Sequence, residues 1–416
     1  MEYKSYRIQD LVDIRRGASP RPIKDFISTD PDFGFSWVKI ADATKDHSRF
    51  LSHTKEYVSP EGAAKSVAVY KGDLILSNSA TPGLPKIMNK KAYIHDGWLL
   101  IRNFQGVNRD YLYYLFLFKR QELLQLSNGS VFNNLKTDIV KNFTVDIPSL
   151  NYQNRVEHVL TSIDAKIEVN NKLIANLEEL SQTLFKRWFV DFEFPDEEGN
   201  PYKSNGGKFI NSELGQIPMG WNIRELKDIA HIVMGQSPKS DTYNYEKDGL
   251  PLINGATDFN HGIINPTKYT TDPKKVGSQN DYIFGVRATI GRVTELDSEY
   301  AIGRGAGIAS PINEFYREYL YQILNKAFKE FSNTASGSVY LNVSRIDLIS
   351  YNIIIPTDDI LRAFHSLTNS YLKDISLLKL ENKNLTELRD TLLPKLMSGE
   401  IELSDELEVD EHAELL

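Results

Sequence analysis

The chain has 416 residues, 41% of them hydrophobic and 25% charged, which suits two or more soluble domains better than one. Without a single cysteine it can form no disulfide, no thiolate metal site and no Cys nucleophile. The net charge of −8 argues against a lone nucleic-acid binder. Eight acidic residues and no basic one lie between Glu400 and Leu416, however, and the rest of the chain is close to neutral. Residues 1–148 hold 21 Lys/Arg against 16 Asp/Glu, and residues 208–355 hold 15 against 16.

The start, Met1-Glu2-Tyr3-Lys4, has no basic end followed by an apolar run, so no secretory signal is expected, and a cytoplasmic protein is. The apolar stretch Leu112 to Phe118 is far too short to span a bilayer. Short strand signals and turns follow the start. Val67-Ala68-Val69-Tyr70 precedes the turn Lys71-Gly72-Asp73 and the strand Leu74-Ile75-Leu76. A helical segment carries Tyr111, Leu112, Leu115 and Phe116, and an apolar strand ends at Ile147-Pro148. Proline there cannot continue a ladder and marks the end of a first domain, residues 1–148.

From about Asn151 to Trp188 neither Pro nor Gly interrupts the chain. Val156, Leu160, Ile163, Ile167, Ile174, Leu177, Leu184 and Trp188 follow a 3-4 spacing, with Asn170 and Ser181 filling the seam. This predicts a long central helix over 149–190, a rod of about 60 Å. One helix cannot bury such a seam alone. Two amphipathic helices in an ordinary core would also give the spacing. Residues 191–207 are acidic and turn-rich, and read as a surface linker.

The second half, residues 208–356, repeats the first at an offset of 208. Gly129-Ser130-Val131-Phe132 recurs as Gly337-Ser338-Val339-Tyr340, and Ile147-Pro148 as Ile355-Pro356. Arg109-Asp110-Tyr111-Leu112-Tyr113 matches Arg317-Glu318-Tyr319-Leu320-Tyr321, Asp73-Leu74-Ile75 matches Asp281-Tyr282-Ile283, and Gly83 matches Gly291. Near the start, Ile8 to Ile14 resembles Ile223 to Ile229. Chance likeness between two α/β domains would not hold one offset over so many segments. A second helix is predicted over 357–400. Its seam is Phe364, Thr368, Tyr371, Ile375, Leu378, Asn382, Leu385, Arg389, Leu392 and Leu396, and the simplest partner for each helix is the other. An acidic tail, 401–416, has the composition of a disordered segment.

These landmarks, over nearly the whole chain, resemble the specificity subunits of type I restriction–modification systems. Ser181 to Phe192 (SQTLFKRWFVDF) is similar to the end of that family's central helix, and Leu214 to Trp221 (LGQIPMGW) to the approach to its second reading domain. Leu388 to Ile401 (LRDTLLPKLMSGEI) is similar to its C-terminal closure, and the Gly-Ser-Val loops before the Ile-Pro strands are a fourth likeness. The resemblance implies an α+β chain of two tandem, pseudo-symmetric α/β target-recognition domains joined by two long antiparallel coiled-coil helices. It implies that each domain reads one half of a split double-stranded DNA target, and that the helices set the gap and dock two modification (adenine methyltransferase) subunits. Restriction subunits would join through these. S-adenosylmethionine, ATP and magnesium would be used by those partners, with no cofactor in this chain. An internal duplication offers two similar docking faces while letting the halves of the target differ.

Enzyme motifs are weak. Asn200-Pro201-Tyr202 lacks the second proline of an adenine methyltransferase loop, and Gly303-Arg304-Gly305-Ala306-Gly307 reads as a turn between strands rather than a nucleotide loop. The eight histidines show no metal spacing. Major-groove reading calls for Arg, Lys, Asn and Gln, with hydroxyls serving phosphates. In the first domain the candidates are Arg15, Arg16, Ser19, Arg21 and Lys24, then Asn78, Ser79, Thr81 and Lys86, then Asn128 and Ser130. In the second they are Gln236, Ser237 and Lys239, then Arg287, Thr289 and Arg292, then Ser338 and Tyr340. Each could equally be a solvated loop residue. Two readings compete with the whole: a fused methyltransferase–specificity chain, and a coiled-coil adaptor without DNA contact.

Overall fold

The computed structural model describes residues 2–44, 48–127, 134–260, 263–286, 292–334 and 343–404. The chain divides into two compact units, 1–169 with 382–416, and 170–381. Both cuts fall inside long helices, so each unit is a globular part together with a portion of the central helix (Leu150–Phe185) and of the distal helix (Asp358–Ser398).

In the first unit the two ends of the globular part pair with each other. Strand Lys4–Arg7 runs antiparallel to Thr144–Ile147, with Lys4 opposite Ile147. A five-stranded sheet has the order Asp13–Arg16, Trp98–Arg102, Leu74–Ser77, Pro85–Met88, Phe50–Leu51. A second has the order Ile27–Ser28, Glu56–Val58, Phe35–Val38, Ala92–Ile94, Val67–Val69. Leu74, Ile75 and Leu76 are wholly buried, which explains an unbroken apolar run in place of alternation. Helix Arg109–Phe118 starts where the Asn108 side chain accepts the Tyr111 N–H (2.9 Å), and its Tyr111, Leu112, Tyr114 and Phe116 join Val156 and Leu160 in one core. Such a side chain contributes roughly 1.5–3 kcal/mol when fully buried.

The second unit repeats this plan. Asn222–Glu225 runs antiparallel to Asn352–Ile355. Strand Ala230–Met234 pairs with Tyr300–Pro311, which pairs with Tyr282–Gly285, and that with Val293–Glu295. Tyr300–Pro311 also runs parallel to Leu250–Gly255 and antiparallel to Val276–Gly277. One twelve-residue strand thus does the work of Ala92–Ile94 and Trp98–Arg102. From Leu74–Ser77 onward the two units match at an offset of 208.

Upstream the offset is different. The short turns Ile8–Asp10 and Leu226–Asp228 correspond, each closed by an Asp carboxylate that accepts an N–H three residues back, on Arg7 (3.2 Å) and Glu225 (3.1 Å). Ile8 therefore matches Leu226, an offset of 218, and the pairing of Ile8–Ile14 with Ile223–Ile229 is three residues out of register. The first unit has ten more residues between this turn and Leu74.

The helices pair within each unit. In the first, the Tyr152 hydroxyl donates to the Ile401 carbonyl (2.9 Å) and Arg389 Nη1 to Asp164 Oδ1 (2.8 Å), so the segments run antiparallel. Val156 and Leu160 are buried there; Ile163, Ile167, Asn382, Leu385 and Leu392 are half-buried. In the second, Ile174, Leu372 and Ile375 are buried against Leu177 and Leu378, and Asn170 Nδ2 donates to Glu381 Oε2 (2.8 Å). Asn170 and Phe364 are buried, Leu184 and Tyr371 half-buried. Arg389, an odd residue for a seam, is explained by Asp164.

Three expectations need correction. Gly303 to Gly307 are not a turn but the interior of Tyr300–Pro311. A Cβ on Gly303 would lie 2.8 Å from Asn254 Oδ1, and on Gly305 2.2 Å from the Asn254 carbonyl, so these glycines serve close strand approach. Residues 191–207 are not a mere surface linker. Phe194 is 5% exposed and stacks on Tyr202 and Trp221 (ring centroids 4.6 and 4.8 Å), joining the second unit's core. The acidic tail begins ordered, with Ile401 and Leu403 packed on the first unit's core; residues 405–416 lie outside the described residues.

Candidate nucleic-acid interface

The loops after Asp13–Arg16 and after Ala230–Met234 are laced to corresponding strand segments, which lie on two strands in the first unit and on one in the second. Gly17 N–H donates to the Trp98 carbonyl (2.8 Å) and Ala18 N–H to Ile94 (3.3 Å). Gly235 N–H donates to Ala306 (2.9 Å) and Gln236 N–H to Ile302 (2.9 Å). Glycine is required at both places. A Cβ would sit 2.1 Å from the His95 carbonyl at Gly17 and 2.1 Å from the Gly303 carbonyl at Gly235. A serine and a buried proline follow in each: Ser19-Pro20 and Ser237-Pro238. The loops are thus one local structure made twice, Gly-x-Ser-Pro-basic.

Their chemistry differs. In the first unit Ser19 Oγ donates to Asp96 Oδ1 (2.5 Å), and Arg16 Nε to the Asp96 carbonyl (2.9 Å) with Nη2 3.8 Å from its carboxylate. The Ser19 hydroxyl holds the Asp96 carboxyl below the usual carboxylate range. Asn78 Nδ2 also donates to the Asp96 carbonyl (3.0 Å) and its N–H to Gly97 (2.9 Å), which draws the second polar loop against the first. In the second unit, Ser237 Oγ accepts from Arg304 instead, at 3.4 Å from its N–H and 3.3 Å from Nε.

Of the candidates in the first unit, Arg15, Arg16, Arg21 and Lys24 are exposed, and Ser19, Ser79 and Thr81 half-buried. Asn78 is 5% exposed and spends its amide inside the loop cluster, so it shapes the surface. Lys86 is 3% exposed and its ammonium donates to the Ser48 carbonyl. It is an interior residue, and its assignment to a DNA-facing loop is corrected. In the second unit Gln236 and Lys239 are exposed and Ser237 half-buried. Arg292 reaches the Ala256 carbonyl (3.1 Å). Asn128, Ser130, Arg287, Thr289, Ser338 and Tyr340 lie outside the described residues. Sequence reasoning missed Asp96 and Arg304. Their signal was the 208 offset itself, which pairs them once the serine loops are aligned at 218.

The family described as type I restriction modification DNA specificity domain matches residues 1–179 and again 218–386. The chain belongs to that family. Among relatives of this specificity subunit, the type I restriction enzyme MjaIX specificity subunit of Methanocaldococcus jannaschii is 28% identical, over 96% of this chain and 93% of that one. The HindI specificity subunit of Haemophilus influenzae is 25% identical, over 67% and 74%. The crystal structure of the type I S subunit from M. genitalium shares the fold, at a TM-score of 0.59 and 15% identity, over 97% of both chains. The subunit's role in such a system is recognition, not catalysis. Among the described residues no helix is long and apolar enough to cross a membrane.

Proposed function

We propose that the two units read the two halves of a split double-stranded DNA target. The exposed side chains of the Gly-x-Ser-Pro-basic loops face the duplex, Arg15, Arg16, Arg21 and Lys24 in one unit and Gln236 and Lys239 in the other, joined there by the half-buried Arg292. Arg287, Thr289, Asn128, Ser130, Ser338 and Tyr340 belong to the same proposed surface by sequence. The paired helices set the gap between half-sites and dock two modification subunits, through which restriction subunits join, in the cytoplasm. Those partners would supply methyl transfer from S-adenosylmethionine and ATP-driven cleavage, while this chain needs no cofactor. One observation supports the reading above the others: the same loop is built twice on corresponding strand segments, with different side chains displayed. A modest net charge is tolerable where basic partner chains share the DNA.

Methylation-aware sequencing of cells holding the full chain and its modification subunit tests this. A bipartite adenine-methylated motif that vanishes with this gene is expected; a continuous motif, or none, overturns the reading. Extra helical turns inserted near Asn170 and Asn382 together should lengthen the gap in the methylated sites. An unchanged gap would show that the helices are not the ruler.

A further inference from the structure

We infer that Arg304 is a base-reading residue of the second unit, presenting its guanidinium fork to a guanine in the second half-site. The inference rests on the DNA-reading function just proposed and adds which side chain does the reading. Arg304 stands on a strand whose Ile302, Ala306 and Ile308 are buried in the core, yet Arg304 itself is exposed. The backbone around it cannot drift. Gly303 and Gly305 are pressed against Asn254, and Gly235 against the Gly303 carbonyl. Ser237 Oγ lies 3.3 Å from Arg304 Nε and orients the head group, and among the described residues neither terminal nitrogen is engaged. Among the described residues no carboxylate pairs with it.

The matching place in the first unit shows what this position can be used for. Asp96 stands there, 208 residues earlier, with Ser19 in the place of Ser237. Its carboxylate is engaged by Ser19 and Arg16, so the cation the first unit displays comes from the strand end rather than from this position. The second unit has Met234 where the first has Arg16, and displays its cation from Arg304. A rigid, exposed arginine aimed by a hydroxyl suits bidentate donation to guanine O6 and N7, which a lysine point charge cannot reproduce.

The test uses the full chain in complex with its modification subunit, as Arg304→Ala, Arg304→Lys and Ser237→Ala, after assembly has been confirmed by gel filtration. Binding is measured on duplexes with every base pair of both half-sites varied in turn, at two salt concentrations. Arg304→Ala should lower discrimination at one G·C position of the second half by about 10- to 100-fold. The first half should be unchanged. Arg304→Lys should keep affinity but lose most of that discrimination, and Ser237→Ala should lose part of it. Uniform weakening at every sequence, with a salt slope reduced by about one, would make Arg304 a phosphate contact and overturn the inference. Unchanged discrimination in all three variants would overturn it too. Failure of the unaltered complex to prefer any split sequence would instead overturn the proposed function.

Discussion

Each unit ties its globular part to its helix pair through a buried polar cluster at matching positions, one contact among several, and the two clusters differ in chemistry. In the first, Asp164 on the central helix accepts from the Tyr114 hydroxyl (2.6 Å) and from Arg389 on the distal helix (2.8 Å). At the matching positions, 208 residues apart, the second unit has Leu372, Gln322 and Ser181, joined by a single Gln322-to-Ser181 hydrogen bond of 3.3 Å. The backbones agree while one cluster is ionic and the other nearly neutral. The fold therefore does not require the charges; the particular side chains present do. A buried ion pair adds little net stability over a well-packed apolar substitute, but it is costly to break from one side.

That comparison can be broken most sharply at Asp164. Asp164→Ala leaves the Tyr114 hydroxyl buried without its acceptor and the half-buried Arg389 guanidinium with Asp390 alone, and should cost the first unit about 2–3 kcal/mol. Gln322→Ala removes a neutral bond and should cost the second about 1 kcal/mol. Hydrogen exchange in urea, followed separately for each unit, measures both. Installing the second unit's set in the first, as Tyr114→Gln with Asp164→Leu and Arg389→Ser, should recover most of the loss. Equal losses for the two single substitutions would mean that the ionic cluster has no special weight.

A smaller and more symmetrical effect is expected at the loop anchors. Gly17→Ala and Gly235→Ala each push a methyl group into a carbonyl oxygen, so each should cost roughly 1–3 kcal/mol through displacement of its own loop. Exchange should rise at Ala18 and Ser19 in one variant, and at Gln236 and Ser237 in the other. If the loops do not respond alike, they are not one structure made twice.

The sequence exposed the duplication because the landmarks after Leu74 keep one offset, and the helix seam because 3-4 spacing survives without tertiary information. The start of the second copy was misaligned because Ile8–Asp10 and Leu226–Asp228 are set by a carboxylate closing on a backbone N–H, which apolar lettering does not record. Gly303 to Gly307 read as a turn because a glycine that admits a neighbouring strand is written like one that bends the chain. Lys86 looked like a surface cation because its burial depends on the Ser48 carbonyl, 38 residues away. Asp96 and Arg304 were invisible singly. Their meaning lies in the serine each faces, 77 and 67 residues off in sequence.

Asp96→Asn gives the mildest and most selective probe of the difference between the units. The substitution keeps the size of the side chain and one oxygen acceptor, but removes the charge that holds Ser19 and faces Arg16. Because Asp96 is partly exposed, water screens this pair, and discrimination in the first half-site should fall only about two- to fivefold. The second half-site should not change, the reverse of the pattern expected for Arg304→Ala. The pH dependence has a definite sign. The folded-state pKa of Asp96 lies below its unfolded value, so its contribution is fully present above the unfolded value and disappears as pH falls through the folded one. Exchange at Ser19 should therefore differ between the original chain and Asp96→Asn at neutral pH and converge only in strongly acid solution. Convergence already near neutrality, or an equal loss in both half-sites, would show that Asp96 does not organise the first loop.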